Sequence, residues 1–175
     1  KTATRYGLYL IGGTAIDLLC RYYSVPFWRS RSNNDLDFWT AYDNSHKDRF
    51  IRRIKRTLGF VVKEDSGYML SLESSSIHTD TDILIDYDRK NRKFGYAVND
   101  IKVMSPIYLF ASKFDRYVNC NNEQRKTTDF KDLQTLLLLI ERTNGFDELE
   151  NHLSALNYDQ RAEDLLNGII ASMGC

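Results

Sequence analysis

The chain has 175 residues, of which 42% are hydrophobic and 27% charged, and its formal net charge at pH 7 is zero. These proportions exclude a disordered or fibrous protein, and the length favours one domain, or one domain with a helical appendage, over two full domains. The aliphatic run at residues 136–140 is far shorter than the roughly 18 apolar residues of a membrane-spanning helix.

The cysteine content indicates a reducing compartment. Cys20, Cys120 and Cys175 are odd in number and have no metal-binding spacing. Such a set is more typical of buried or incidental thiols than of a disulfide framework. We therefore expect a cytoplasmic protein without a membrane partner.

Short apolar runs separated by turn residues dominate the first 104 residues. Two helical patterns interrupt them, at residues 15–23 and 46–58. The predicted strands lie at residues 6–11, 35–40, 60–63, 68–72, 77–87 and 94–98.

From Ser105 onward the apolar period is helical, and Ser105-Pro106 is typical of a helix start. A polar stretch at residues 119–128 predicts a connection between the first two C-terminal helices. The predicted helices lie at residues 106–118, 129–142, 146–153 and 159–173. Strands followed by helices predict an α+β fold, with a mixed β-sheet flanked by helices and a C-terminal helical bundle.

Gly12, Gly13 and Thr14 lie between the first predicted strand and the first predicted helix. Backbone N–H groups and a hydroxyl at a helix N-terminus suit phosphate oxygens, because the donors and the helix dipole both favour an anion. The segment lacks the Lys-Ser/Thr continuation of a P-loop and the third glycine of a dinucleotide-binding fingerprint. It therefore indicates either a phosphate-binding turn of another class or a simple tight turn.

Asp35 and Asp37 alternate with Leu36 and Phe38. On a strand the two carboxylates would share one face, where they repel each other unless they are solvated, protonated or bridged by a cation. Hard divalent metals prefer oxygen ligands of this kind. The pair predicts a magnesium site, and the alternative is a solvated acidic pair on an edge strand.

The strand predicted at residues 77–87 carries three aspartates of the same parity, Asp80, Asp82 and Asp86. If this strand neighbours the first acidic strand, one of these carboxylates joins Asp35 and Asp37. Three carboxylates can hold one or two Mg²⁺ ions that activate an attacking oxygen and neutralise phosphate charge.

Together these segments resemble the signature of the DNA polymerase β-like nucleotidyltransferase superfamily. Within that superfamily, the chain is most similar to the AbiEii-like toxins of type IV toxin-antitoxin systems. The similar segments are residues 12–16, 31–38, 81–84, 105–113 and 125–133. Two features depart from many members: Thr14 replaces a serine, and the link from the glycines to Asp35 is longer.

The resemblance implies a nucleotidyltransferase catalytic core at residues 1–104 and a helical region at 105–175 packed on it. Asp35, Asp37 and Asp82 would be the catalytic residues and the ligands of Mg²⁺ or Mn²⁺, and Asp82 would accept the proton of the attacking hydroxyl. Asp80 and Asp86 remain alternatives to Asp82, since they share its face. The implied nucleotide-binding residues are Gly12, Gly13, Thr14, Arg31 and Lys113.

The implied reaction transfers a nucleoside monophosphate from an NTP to a hydroxyl acceptor, RNA, tRNA or protein, and releases pyrophosphate. A toxin of this class would also have a cognate antitoxin as a partner. The alternatives are an aminoglycoside-type small-molecule nucleotidyltransferase and a non-catalytic module of the same fold that binds NTP or nucleic acid.

The helix predicted at residues 46–58 is strongly basic on one side. Its apolar residues include Ile51 and Ile54, and Arg49, Arg52, Arg53 and Arg56 fall largely on the opposite side, with Lys55 as a further cation of the helix. This side could contact a nucleic-acid backbone, and the alternative is a solvated helix face.

Overall fold

A computed structural model of the chain describes residues 7–27, 35–41, 47–58, 60–74, 79–86, 95–155 and 159–173. The chain divides into two compact units, residues 1–15 with 31–104 and residues 16–30 with 105–175. The first helix, α1 (Gly12–Tyr23), begins in the first unit and continues into the second. The predicted division at residue 104, with a helical region packed on a catalytic core, stays a prediction.

The described part of the first unit contains a seven-stranded mixed sheet of order β3-β4-β5-β2-β1-β7-β6. Its strands are β1 (Tyr9–Leu10), β2 (Phe38–Ala41), β3 (Val61–Asp65), β4 (Met69–Ser74), β5 (Thr79–Asp86), β6 (Gly95–Val98) and β7 (Ile101–Met104). β2 is parallel to β5 and β1 is parallel to β7, whereas the other neighbours are antiparallel.

One face of this sheet forms the core of the first unit. Alternation along β4 and β5 places Leu70, Leu72, Ile83 and Ile85 on that face, where they are buried together with Leu8. The helix α2 (Lys47–Leu58) contributes Ile51 to the same cluster. Polar residues of β4 and β5 with the opposite parity therefore lie on the other face.

The described helices of the second unit, after α1, are α3 (Pro106–Asn119), α4 (Glu123–Arg142), α5 (Phe146–Ser154) and α6 (Gln160–Ala171). Side-chain oxygens satisfy backbone N–H groups at three helix starts, because Ser105, Asn122 and Asp159 cap α3, α4 and α6. The fully buried core residues include Phe110, Phe114, Leu133, Leu136 and Ile140.

The predicted fold class, a mixed sheet flanked by helices with C-terminal helices, is confirmed. The hairpin of β3 and β4 is also present as predicted, with Gly67 at φ +93° in its turn. Among the described helices, none is long and apolar enough to span a membrane.

Several elements differ from the prediction. β2 begins at Phe38 and not at residue 35, so the predicted strand that carries both Asp35 and Asp37 is wrong, and both residues precede the strand. β7 was not predicted, because its hairpin turn uses Asn99 and Asp100 at positive φ and contains no glycine. α4 begins at Glu123 rather than residue 129, since its first turn is solvent-exposed and lacks the apolar residues that mark a helix in sequence. Gly12 and Gly13 belong to the first turn of α1 and do not form a separate turn before it.

Candidate functional site

Asp82 lies on β5, and Asp37 lies immediately before β2, the strand that runs parallel to β5. Phe38 pairs with Ile83 in the register of β2 and β5, and the two aspartates each stand one residue before this pair. The Asp37 carbonyl accepts a hydrogen bond from the Ile11 N–H at 2.9 Å, so the ladder with β1 extends to this residue. Continuing the register by one residue places Asp37 and Asp82 opposite each other on one face of the sheet, where adjacent strands are about 5 Å apart.

Asp82 receives a hydrogen bond that sequence analysis did not predict. The Ser71 hydroxyl donates to Asp82 Oδ1 at 2.6 Å, across the antiparallel pair of β4 and β5. Both side chains are only partly buried. The contact fixes the rotamer of the carboxylate and leaves Oδ2 for another partner. The sequence signal was the alternation Leu70-Ser71-Leu72, which puts a hydroxyl on the polar face of the strand beside the acidic one.

The start of α1 lies against Asp37. Gly12 has φ +69°, and a Cβ atom at this position would lie 2.6 Å from Asp37 Oδ2. Only glycine fits both the backbone conformation and the close approach of the carboxylate. The glycine predicted to serve a phosphate thus also leaves room for an acidic side chain.

Thr14 links the same helix to the segment that carries the first aspartate. Its hydroxyl donates to the Asp35 carbonyl at 2.8 Å. The Asp35 side chain is exposed, two residues before Asp37 and outside the regular part of β2. The hydroxyl of Thr14 therefore positions the acidic segment through a hydrogen bond to a backbone carbonyl.

Register separates Asp82 from the two alternative aspartates. Asp86 pairs with Ala41, so its position lies about 13 Å further along the strand than that of Asp82. Asp80 pairs with Glu73 on β4 and stands two residues before Asp82, about 7 Å away. Of the three, Asp82 has the position beside Asp37.

Among the residues that the structure describes, no three His, Cys, Asp or Glu side chains are gathered around one metal-sized position. The donor chemistry of the site nevertheless suits a hard divalent cation. Asp37 and Asp82 carry carboxylates directly before the paired residues of β2 and β5, whereas the exposed Asp35 side chain is not gathered with both of them.

Lys113 lies in the second unit, where it is buried between two acidic residues. Its ammonium is 2.7 Å from Asp132 and 3.2 Å from Asp129. Arg116 binds Asp129 through two nitrogens. The predicted role of Lys113 in nucleotide binding stays a prediction, whereas its described contacts bridge α3 and α4. Arg31, the other predicted nucleotide-binding cation, lies outside the described residues.

Opposing effects act on the Asp129 carboxyl, which is fully buried. Burial by itself would raise its pKa, but the Arg116 hydrogen bond and the Lys113 and Arg116 charges hold the pKa below the ordinary value. The Asp129 hydrogen bond in turn raises the pKa of Arg116. The i, i+3 spacing of two cations on α3 and two acids on α4 was the sequence signal for this cluster.

No protein-family model and no curated protein matches this chain. Similar solved structures exist at low sequence identity. The solution structure of the antibiotic-resistance factor ANT(2'')-Ia has a TM-score of 0.54 and 15% identity, over 92% of this chain and 86% of that one. A crystal structure of ANT(2'')-Ia in complex with adenylyl-2''-tobramycin has a TM-score of 0.58 and 14% identity, over 85% of each chain.

The third similar structure is the Megavirus polyadenylate synthase, with a TM-score of 0.55 and 15% identity. The match covers 77% of this chain and only 28% of the viral protein. The predicted similarity to AbiEii-like toxins stays a prediction. At these identities the comparisons establish a shared architecture, and the chain therefore has the fold of nucleotidyltransferases of known structure.

Proposed function

We propose that this protein is a magnesium-dependent nucleotidyltransferase that moves a nucleoside monophosphate from an NTP to a hydroxyl acceptor. One observation carries the proposal: Asp37 and Asp82 directly precede the paired residues Phe38 and Ile83, and the glycine start of α1 lies against Asp37. The nucleotidyltransferase fold of the neighbours supports it. An acidic pair beside a helix N-terminus places metal-binding carboxylates next to a phosphate-binding element.

Asp35, Asp37 and Asp82 would hold Mg²⁺ or Mn²⁺. Such a cation neutralises charge on the transferring phosphate and favours ionisation of the attacking hydroxyl. The first turn of α1 would present the Gly12 and Gly13 backbone and Thr14 to the triphosphate. Arg31 and Lys113 are proposed to add positive charge at the nucleotide.

The reaction forms one bond and breaks one at the α-phosphorus. The acceptor oxygen bonds to phosphorus as the bond to the β-phosphate bridging oxygen breaks, and pyrophosphate leaves with that electron pair. Asp82 accepts the hydroxyl proton. Ser71 holds one Asp82 oxygen, so the carboxylate keeps its orientation during the transfer.

The first experiment follows label from α-labelled NTPs into total RNA and total protein. The native chain is compared with Asp35→Ala and Asp37→Ala, each with Mg²⁺, with Mn²⁺ and with chelator. We expect metal-dependent label with the native chain and a loss of at least about 100-fold in the variants. Label at or below the variant background in every pool would contradict the enzymatic proposal and leave a binding module of the same fold.

The expected acceptor is RNA, including tRNA, or protein. Polyadenylate synthase is a structural neighbour, which favours RNA. A second candidate is an aminoglycoside, because the similarity to the protein with bound adenylyl-2''-tobramycin covers 85% of both chains. The same assay run with tobramycin separates them, since a labelled small molecule without labelled RNA or protein would favour the second candidate.

A toxin role is a further part of the proposal, with a cognate antitoxin as partner. Expression of the native chain would then arrest growth, and the Asp37→Ala variant at equal abundance would not. Arrest that persists in Asp37→Ala would indicate toxicity by binding. Growth unaffected by the native chain, with label transfer intact, would contradict the toxin role alone.

A further inference from the structure

One side of α2 is densely cationic. Within eight residues this helix exposes five cations, which we call the α2 basic face: Arg49, Arg52, Arg53, Lys55 and Arg56. The whole chain has zero formal net charge. The positive charge is therefore a local property of this surface.

The four arginines of the α2 basic face are regularly spaced. They recur at intervals of three, one and three residues, so they form one stripe about 10 Å long on the helix. Arginine carries a planar fork of donors that matches phosphate oxygens in pairs. A stripe of such forks suits a polymer with regularly spaced phosphates better than a single anion.

The opposite side of α2 is occupied by the protein core. Ile51 packs against the cluster that contains Leu70, Leu72 and Ile83. An amphipathic helix that binds a membrane surface inserts its apolar side into the lipid boundary. Since that side already packs on the sheet, the α2 basic face suits a hydrophilic polyanion.

The α2 basic face and the acidic site lie on opposite faces of the sheet. α2 packs on the face of Ile83 and Ile85, whereas Ser71 and Asp82, of the other parity, contact each other on the opposite face. A strand whose phosphates are spaced about 3.4 Å along its axis needs several nucleotides to extend between them. The surface would therefore hold the body of a polymer whose end reaches Asp37 and Asp82.

We infer that the α2 basic face binds the backbone of a single-stranded RNA acceptor. The identity of the polymer as the acceptor rests on the proposed function. The surface supplies affinity without base specificity, because its contacts are to phosphates.

The test measures binding of a fluorescent RNA of about 30 nucleotides by anisotropy at about 0.15 M ionic strength. The test variant replaces the four stripe residues with glutamine: Arg49→Gln, Arg52→Gln, Arg53→Gln and Arg56→Gln. The matched control makes the same charge change at exposed cations of the second unit: Arg125→Gln, Lys131→Gln, Arg142→Gln and Arg161→Gln. Circular dichroism and thermal unfolding verify that both variants fold.

We expect the test variant to lose roughly 30-fold or more in affinity and the control to stay within about twofold. The logarithm of the native association constant should fall against the logarithm of salt concentration with a slope near −3, for about four phosphate contacts. The slope should approach zero in the test variant. A variant with lysine at the same four positions keeps the charge and should retain most of the affinity. This lysine variant can still be measured if the glutamine variant fails to fold.

Transfer activity provides the second arm. With a long RNA acceptor, the test variant should have a higher KM than the native chain. With an acceptor of about four nucleotides and the same 3′ end, the native chain and the test variant should have equal KM values. Equal loss with both acceptors would overturn the assignment to the body of the RNA. If no RNA is labelled but the binding results hold, the surface assignment stands and the proposed function fails.

Three results would overturn the inference. The first is equal RNA binding by the native chain and the test variant. The second is a polyglutamate of equal charge binding as tightly as RNA, which would indicate an acidic protein partner. The third is single-stranded DNA of the same sequence binding more tightly than RNA.

Discussion

Ser71 is the residue whose contact bears most directly on the candidate chemistry. Its hydroxyl donates to Asp82 Oδ1 at 2.6 Å. Hydrogen bonds to charged groups contribute about 1.5–3 kcal/mol. A carboxylate that loses this donor samples other rotamers and spends less time in the orientation that the reaction requires.

We predict that Ser71→Ala lowers kcat about tenfold, equivalent to about 1.4 kcal/mol in the barrier. Nucleotide KM should stay within twofold or so, and Ser71→Thr should recover most of the rate because it keeps the hydroxyl. Steady-state kinetics with the labelled acceptor measures both quantities. Ser66→Ala, at an exposed position of the same hairpin, is the matched control. An equal loss in Ser71→Ala and Ser71→Thr would argue against orientation by the hydroxyl.

Asp129, like Asp132, is an acid of the second unit with 0% exposure. It holds Lys113 and Arg116, and it ties α3 to α4. Removal of the Asp129 charge weakens its hydrogen bonds with Lys113 and Arg116, whereas Lys113 keeps Asp132 as a partner and Arg116 is partly solvated. Hydrogen bonds to charged groups contribute about 1.5–3 kcal/mol.

Asp129→Asn should therefore lower the free energy of unfolding by about 1.5–3 kcal/mol in urea titrations at neutral pH. Asp115→Asn, an exposed change on α3, should stay within about 0.5 kcal/mol of the native chain.

The folded pKa of Asp129 lies below its ordinary value of 3.8. Its stabilisation is thus present above that ordinary value and is lost as pH falls through the folded pKa. The gap between native and variant chains should narrow on acidification, and a gap constant with pH would contradict this origin.

At the scale of elements, the start of α1 combines a left-handed glycine with a close carboxylate. Gly12 and Gly67 both have positive φ, so alanine strains the backbone at either position. A Cβ at Gly67 meets nothing within 4 Å, whereas a Cβ at Gly12 meets Asp37 Oδ2 at 2.6 Å. A comparison of alanine substitutions at Gly12 and Gly67 therefore distinguishes the effect of backbone strain from the effect of a collision with Asp37.

We predict that Gly67→Ala costs about 1 kcal/mol of stability and leaves nucleotidyl transfer nearly unchanged. Gly12→Ala should cost about the same for its backbone and should also displace Asp37, with a loss of transfer activity of about tenfold or more. Chemical denaturation and the label assay, run on both variants, provide the measurements. Equal activity in the two variants would show that the approach of Asp37 to Gly12 has no catalytic consequence.

Elements also show what periodicity predicts. The hairpin of β3 and β4 and the caps at Ser105 and Asp159 follow from local residue patterns, and they are present in the structure. The sequence patterns did not predict the first turns of α4, because these turns have few apolar residues. They also did not predict the strand β7, because it follows a turn of Asn99 and Asp100. Solvent-exposed helix starts and glycine-free hairpin turns have weak local signals.

At the scale of the whole molecule, each unit has its own enclosed core. The reactivity of the Cys20 thiol measures how well the core of the second unit is enclosed. Its side chain is 1% exposed, and its pKa is raised from 9.0 to about 12, chiefly by burial and further by Asp17 and Asp132. The thiolate is the reactive form, so a buried thiol with a raised pKa reacts only after the surrounding structure opens.

We predict that iodoacetamide at about pH 8 alkylates the partly exposed Cys120 much faster than Cys20 in the native protein. Denaturant should equalise the two rates, and peptide mass spectrometry assigns them. Because the unfolded thiol ionises near pH 9.0 and the folded one near 12, stability should also fall across that interval as pH rises. Native Cys20 that reacts as fast as Cys120 would contradict its enclosure.

The sequence by itself determined the α+β class, the glycines at the start of α1 and the acidic residues Asp35, Asp37 and Asp82 as candidates. These features depend on backbone geometry over a few residues, and short-range periodicity and turn chemistry record that geometry. Only the tertiary structure decided that Asp82 stands beside Asp37, that Ser71 holds Asp82, and that Lys113 is buried between two acids. Strand register and burial arise from packing between segments far apart in the chain, and no local pattern specifies them.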